Sequence, residues 1–266
     1  MLVAARAGAW SPSGKNPPAY GGLCFTAESA NSSVQLTAVG SAPAVTLVKS
    51  FDGVNWEAYA VGEVIDLPST GDCVYLAAGE GGNETFGSST AVYHKFVING
   101  LVAASGDITS LRRFDLEKTT LARNCYISMF EGCTGLTSAP ELPATTLDNF
   151  CYNSMFRGCT GLMSAPELPA TTLAVNCYGY MFSGCTGLMN APELPATTLV
   201  RNCYTHIFEG CTNLSLIKVS LTAWGASTSN WVSNVKSTGT FYKPTALPEE
   251  YGTNKIPTGW AVVNID

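Results

Sequence analysis

Along residues 22–112 apolar and polar side chains alternate in short runs: Leu23-Cys-Phe-Thr, Val34-Gln-Leu-Thr, Val45-Thr-Leu-Val, Trp56-Glu-Ala-Tyr, Val64-Ile-Asp-Leu, Cys73-Val-Tyr-Leu and Tyr93-His-Lys-Phe. Gly, Ser, Asn or Pro separates them at intervals of about ten residues, which predicts an antiparallel β-sandwich of about seven strands. Asp52-Gly53 falls between two such runs and predicts a hairpin turn.

Past residue 113 the pattern changes to a strict repeat. Asn124-Cys-Tyr-Ile-Ser-Met-Phe-Glu-Gly-Cys-Thr-Gly-Leu136 returns from Phe150, from Asn176 and from Asn202, each time 26 residues on. The linker Ala-Pro-Glu-Leu-Pro-Ala-Thr-Thr-Leu recurs from Ala139, Ala165 and Ala191, and a degenerate copy stands at Leu116–Leu121. Such a period marks a stacked array. Leu147, Cys151, Met155, Cys159 and Leu162 are three or four residues apart, with Phe156 widening the stripe, which predicts a short helix in each copy. Gly132, Gly158, Gly184 and Gly210 then stand at the helix ends. The proline-bearing linker cannot be helical and reads as an extended edge. In the fourth copy Leu216-Ile-Lys-Val-Ser-Leu221 replaces it and alternates like a strand.

The order of these elements resembles the BspA-like leucine-rich repeats, over residues of about 116 to 214. It departs from them at Ala-Pro-Glu-Leu-Pro, where those repeats carry an aliphatic strand. The resemblance implies an adhesive, non-enzymatic module that binds host proteins, other cells or glycans. The expected fold class is multidomain α+β: an arm (1–21), a β-sandwich (22–112), a leucine-rich-repeat solenoid (113–216) and a C-terminal cap (217–266). In the cap we expect a helix over Thr228–Val235, strands over 239–243 and 260–265, and a plug of Trp224, Trp231 and Trp260. Phe130, Phe156, Phe182 and Phe208 should stack in the solenoid core.

Composition narrows the function. Charged residues make up 13% of the 266-residue chain and its net charge is -6, with no basic run, so nucleic acid and anionic membrane surfaces are not expected partners. No segment is long enough to span a bilayer. Leu2–Ala5 is too short an apolar run before Arg6 for a secretory signal. Residues 1–21, with Pro12, Pro17 and Pro18, lack periodicity and are read as an assembly arm whose Trp10 docks on other particle subunits.

The candidate chemistry is sparse. Eight of the ten cysteines form two columns, 125/151/177/203 and 133/159/185/211, spaced unlike a zinc site; they are expected to be buried, reduced thiols, while Cys24 and Cys73 could pair. His94 and His206 have no second copy and no orienting acid evident in sequence, so catalysis is not expected. Gly79–Gly87 has the glycines of a phosphate loop without its Lys-Ser/Thr, and is read as a hairpin loop. Ser50–Trp56 resembles the Asp-box turn of sialidases but lacks one of its residues and occurs once, so it is read as a turn. Glu141, Glu167 and Glu193 should stack at strand spacing above Asp115, facing water, a basic partner or a divalent ion. With the column Tyr126, Tyr152, Tyr178 and Tyr204 they are the candidate partner-binding residues. No cofactor, metal site or catalytic residue is expected. The expected function is surface display on a virion or particle, the repeats projecting outward to a host protein or glycan; the alternative is a bacterial cell-surface adhesin.

Overall fold

The computed structural model describes residues 22–112 and 119–265. These are mostly β, in several open sheets, with two short 3-10 turns and no α-helix among them. Trp10 and Asp115 lie outside the described residues.

Nine strands fill the first segment: β1 (Leu23–Ala27), β2 (Ser32–Val39), β3 (Leu47–Ser50), β4 (Glu57–Tyr59), β5 (Val64–Leu67), β6 (Cys73–Ala78), β7 (Gly87–Ser89), β8 (Val92–Asn99) and β9 (Val102–Ser105). One sheet runs β9-β1-β6-β3-β4 and another β5-β2-β8-β7, all antiparallel. Their alternating inward residues, among them Leu23, Phe25, Val34, Leu36, Val74 and Phe96, share one core. Phe25 meets Phe96 edge-on at 4.8 Å. The expected hairpin joins β3 to β4. There the Asp52 carboxylate accepts bonds from the Val54 and Asn55 amides at 2.8 and 2.7 Å and from Ser50 Oγ at 2.9 Å, which hold it well below the usual carboxylate range. The Gly79–Gly87 loop is not a hairpin: it crosses from β6 in one sheet to β7 in the other. Asn83 fastens it through bonds to Thr46 and Leu111.

The sheet does not stop at β9. Strand β10 (Leu136–Ser138), from the first repeat, joins β9 in parallel. From there single parallel bridges climb Ser138–Ser164–Asn190–Leu216, one step per repeat. They end in a parallel sheet of β11 (Leu216–Lys218), β12 (Thr240–Pro244) and β13 (Ala261–Ile265). One apolar cluster runs without a break from Leu23 to Trp260.

The helix expected in each repeat does not form. Alternate residues instead take left-handed backbone angles: Asn124, Tyr126 and Ser128 at φ 57°, 61° and 52°, then Phe150, Tyr152 and Ser154 at 62°, 60° and 55°. Alternate N–H groups leave their own turn for a neighbouring copy: Ser128, Phe130 and Gly132 donate forward to the carbonyls of Asn153, Met155 and Arg157 at 2.8–2.9 Å, while Tyr152 donates back to Cys125 at 3.1 Å. The amides between them close local turns, Met129 onto Tyr126 and Glu131 onto Ser128. Overlapping four-residue turns give apolar side chains nearly the spacing of a helix, and this is why the sequence pattern misleads. A left-handed non-glycine residue costs about 1–2 kcal/mol. Bonds to the next copy and near-complete burial of Cys151 to Phe156 offset that cost.

Copies stack ring on ring. Phe130, Phe156, Phe182 and Phe208 lie 5.4, 5.6 and 5.9 Å apart with planes within 12°. Phe96 closes the column below at 5.1 Å and Trp231 above at 6.5 Å. Replacing Phe156 by Ala should therefore cost about 3–5 kcal/mol, read as a fall in denaturant midpoint. A variant that unfolds with the parent would contradict this register.

The stacking continues past the fourth copy. Thr228–Val235 is a run of turns, not the expected helix, and its carbonyls accept from below: Trp231 from Phe208, Ser233 from Gly210. The indoles of Trp224, Trp231 and Trp260 donate to the carbonyls of Pro248, Lys255 and Lys236, each at 2.8 Å. Trp231 and Trp260 are buried, and Trp224 packs edge-on against Trp231.

Candidate functional site

The linker places its side chains by alternation. Leu142, Leu168 and Leu194 turn inward and are buried with Ala144, Ala170 and Ala196, so Glu141, Glu167 and Glu193 turn out and are exposed. Prolines flank each glutamate. Pro140, Pro143, Pro166 and Pro169 line a shallow groove of about 400 Å³ with Glu141 and Glu167. A second hollow of about 310 Å³ carries the groove on to Glu193 and Pro195. Above it, Lys218 bonds Glu193 at 3.0 Å. Below, Asp107 lies beside Glu141 through a parallel bridge. Burial pushes the Asp107 carboxyl up, and the Glu141 charge adds to the rise. Its carboxylate accepts the Thr109 amide at 2.7 Å.

The tyrosine column is not a surface. Tyr126, Tyr152, Tyr178 and Tyr204 are fully buried, with rings stacked 5.8, 6.0 and 6.2 Å apart. Their rings point into the core of the turn ladder, which removes them from any contact face. Tyr126 donates to the Ile108 carbonyl at 3.1 Å, while the hydroxyls of Tyr152, Tyr178 and Tyr204 have no protein partner. Hence Tyr126→Phe should cost about 1 kcal/mol and Tyr152→Phe should be neutral or stabilising, in paired denaturant titrations. Equal losses would show that the two hydroxyls do the same thing.

The cysteines are buried thiols, apart from the half-exposed Cys73, and none forms a disulfide. Cys133, Cys159, Cys185 and Cys211 each donate to a phenylalanine carbonyl of the layer beneath, at 3.0–3.2 Å. Burial pushes Cys133 and Cys185 up to about 12, so they stay protonated at neutral pH. His94 is buried against Phe86, its Nδ1 lies 3.2 Å from the Phe86 carbonyl oxygen, and burial pushes its pKa down. His206 does have an acid beside it, Glu209, at 2.9 Å.

That pair belongs to a second face, which the repeat pattern alone does not reveal. Glu131 meets Arg157 at 3.6 Å, Arg157 lies over the Tyr180 ring at 5.6 Å, and Tyr180 stacks on His206 at 4.5 Å. Arg123 lies over the Phe150 ring at 5.9 Å. Three positions change along the copies: Arg123, Asn149, Val175, Arg201; Ser128, Ser154, Tyr180, His206; Glu131, Arg157, Ser183, Glu209. The serines at 128, 154 and 183 are buried, while the larger side chains reach the surface. The core columns and the Pro-Glu strip stay the same through the first three copies. Variation inside an otherwise identical repeat is the sequence signal that could have found this face.

No helix among the described residues is long and apolar enough to cross a membrane. No family model, no curated protein and no solved structure matches the chain.

Proposed function

We propose that the chain is a non-enzymatic display module, a β-sandwich base carrying a leucine-rich-type solenoid that projects from a virion or other particle toward a protein or glycan of a host surface. The observation that carries this reading is the contrast between invariant core columns and side chains that change from copy to copy on one outward face. A scaffold that repeats its interior while varying Arg157, Tyr180 and His206 is suited to recognition. The invariant strip of Glu141, Glu167 and Glu193 offers a second contact, suited to a basic partner. Trp10 and the arm around it would hold the base to other subunits. The BspA-like resemblance favours a second reading, a bacterial cell-surface adhesin.

Binding of the labelled chain to a printed glycan array and to a panel of intact bacterial cells tests the proposal. Binding that falls at least tenfold in Arg157→Glu/Tyr180→Ser, or in Glu141/Glu167/Glu193→Gln, supports it. Binding untouched by both sets would rule these surfaces out as the contact.

A further inference from the structure

Among the described residues the edge strands are guarded, with one exception. β4 is three residues long and carries Glu57, β5 carries Asp66 and runs into Pro68, and β7 pairs through an irregular register. Short strands, charges, proline and bulges are the usual means of keeping an edge from pairing with another chain. Within its five residues β13 has none of them, and the charge that follows it in sequence, Asp266, lies beyond the strand. Ala261-Val-Val-Asn-Ile265 contains no charge and no proline, and all five residues keep unbroken register with β12. Its other side is unpaired among the described residues, and Val263 is 38% exposed.

The backbone fixes which groups are open. Ala261 N–H donates to the Gly239 carbonyl at 2.9 Å, on the β12 side. Successive residues of a strand offer their N–H and C=O to opposite sides, so Val263 and Ile265 also bond inward while Val262 and Asn264 bond outward. We infer that β13 is a self-association edge, pairing antiparallel with β13 of a second copy about a two-fold axis at Val263. In that register Val262 and Asn264 of one copy exchange both bonds with Asn264 and Val262 of the other, and the two Val263 side chains form the close, non-hydrogen-bonded pair. A second copy is the fitting occupant because the strand is neutral throughout: no side chain meets a like charge in its own image, as Lys or Glu there would. The pair also closes on itself, which gives a dimer and not a filament.

Sedimentation velocity of the full chain from low to several hundred micromolar tests this. The parent should move from monomer to twice the chain mass. Val263→Lys, which sets two ammonium groups face to face, should stay monomeric at every concentration. Asn264→Pro removes only an outward N–H and leaves the β12 ladder intact, so it should weaken association at least tenfold without lowering the melting temperature. A parent that remains monomeric, assembly beyond two copies, or dimerisation unchanged in both variants would each overturn the inference.

Discussion

Raising the pH to about 10 is expected to unfold the repeats cooperatively. The cause is the cysteine columns. Burial pushes Cys133, Cys177 and Cys185 from the ordinary 9.0 to about 12 and Cys203 to about 11, and lifts Cys151, Cys159 and Cys211 well above 9.0. A thiol raised in the folded state favours folding fully below its unfolded value. Above that value the unfolded chain releases protons that the folded chain still holds, and stability falls until the folded values are passed. Each such thiol shifts the balance by about 1.4 kcal/mol per pH unit over that window. Cys133, Cys177, Cys185 and Cys203 together approach about 6 kcal/mol per unit, comparable with the whole stability of a marginal domain, and the other three thiols act in the same direction. The buried tyrosines, also raised by burial, act in the same direction at higher pH. Circular dichroism against pH, under reducing conditions, measures the transition. A fold that persists at about pH 11.5 would mean that the thiols are not buried as described.

A single methyl group should be nearly as damaging. A Cβ at Gly161 would lie 2.5 Å from the Thr134 carbonyl oxygen and 3.1 Å from that of Leu136; at Gly187 it would lie 2.6 and 3.0 Å from those of Thr160 and Leu162. These are backbone atoms of the neighbouring copy and cannot turn aside. Gly161→Ala and Gly187→Ala should each cost more than about 3 kcal/mol, beyond ordinary overpacking. Gly158 is the control. Its φ of 72° is left-handed, but its nearest neighbour would be Gly132 Cα at 3.8 Å. Gly158→Ala should cost only about 1–2 kcal/mol, from backbone strain. Equal losses at 158 and 161 would show that the copies are not in this contact.

What is legible in the sequence depends on how uniquely a pattern maps to geometry. The 26-residue register places Phe130, Phe156, Phe182 and Phe208 in one stack because identical residues at identical steps have few alternatives. Strict alternation locates most of β1 to β8. It misses β7 and β9, whose Gly-Ser-Ser and Val-Ala-Ala-Ser lack contrast between faces. The turn ladder is illegible for two reasons. Its apolar spacing is that of a helix, and Tyr126, Phe150, Tyr152, Tyr180 and His206 adopt angles that their side chains disfavour in isolation. Only Asn124, Asn176 and Asn202 hint at it. The misplaced tyrosines follow from the same error, since each directly follows a stripe cysteine and a helix would turn all four off the buried stripe. The glutamate strip is legible as exposed because Pro-Glu-Leu-Pro alternates around a buried leucine.

Each copy is bonded to the next through alternate amides, and through-hydrogen-bond NMR couplings test this most directly. The amide nitrogen of Phe156 should couple to the carbonyl carbon of Met181, and that of Phe182 to the carbonyl carbon of Ile207. Coupling of Phe156 to Tyr152 instead, the partner an α-helix would supply, would contradict it.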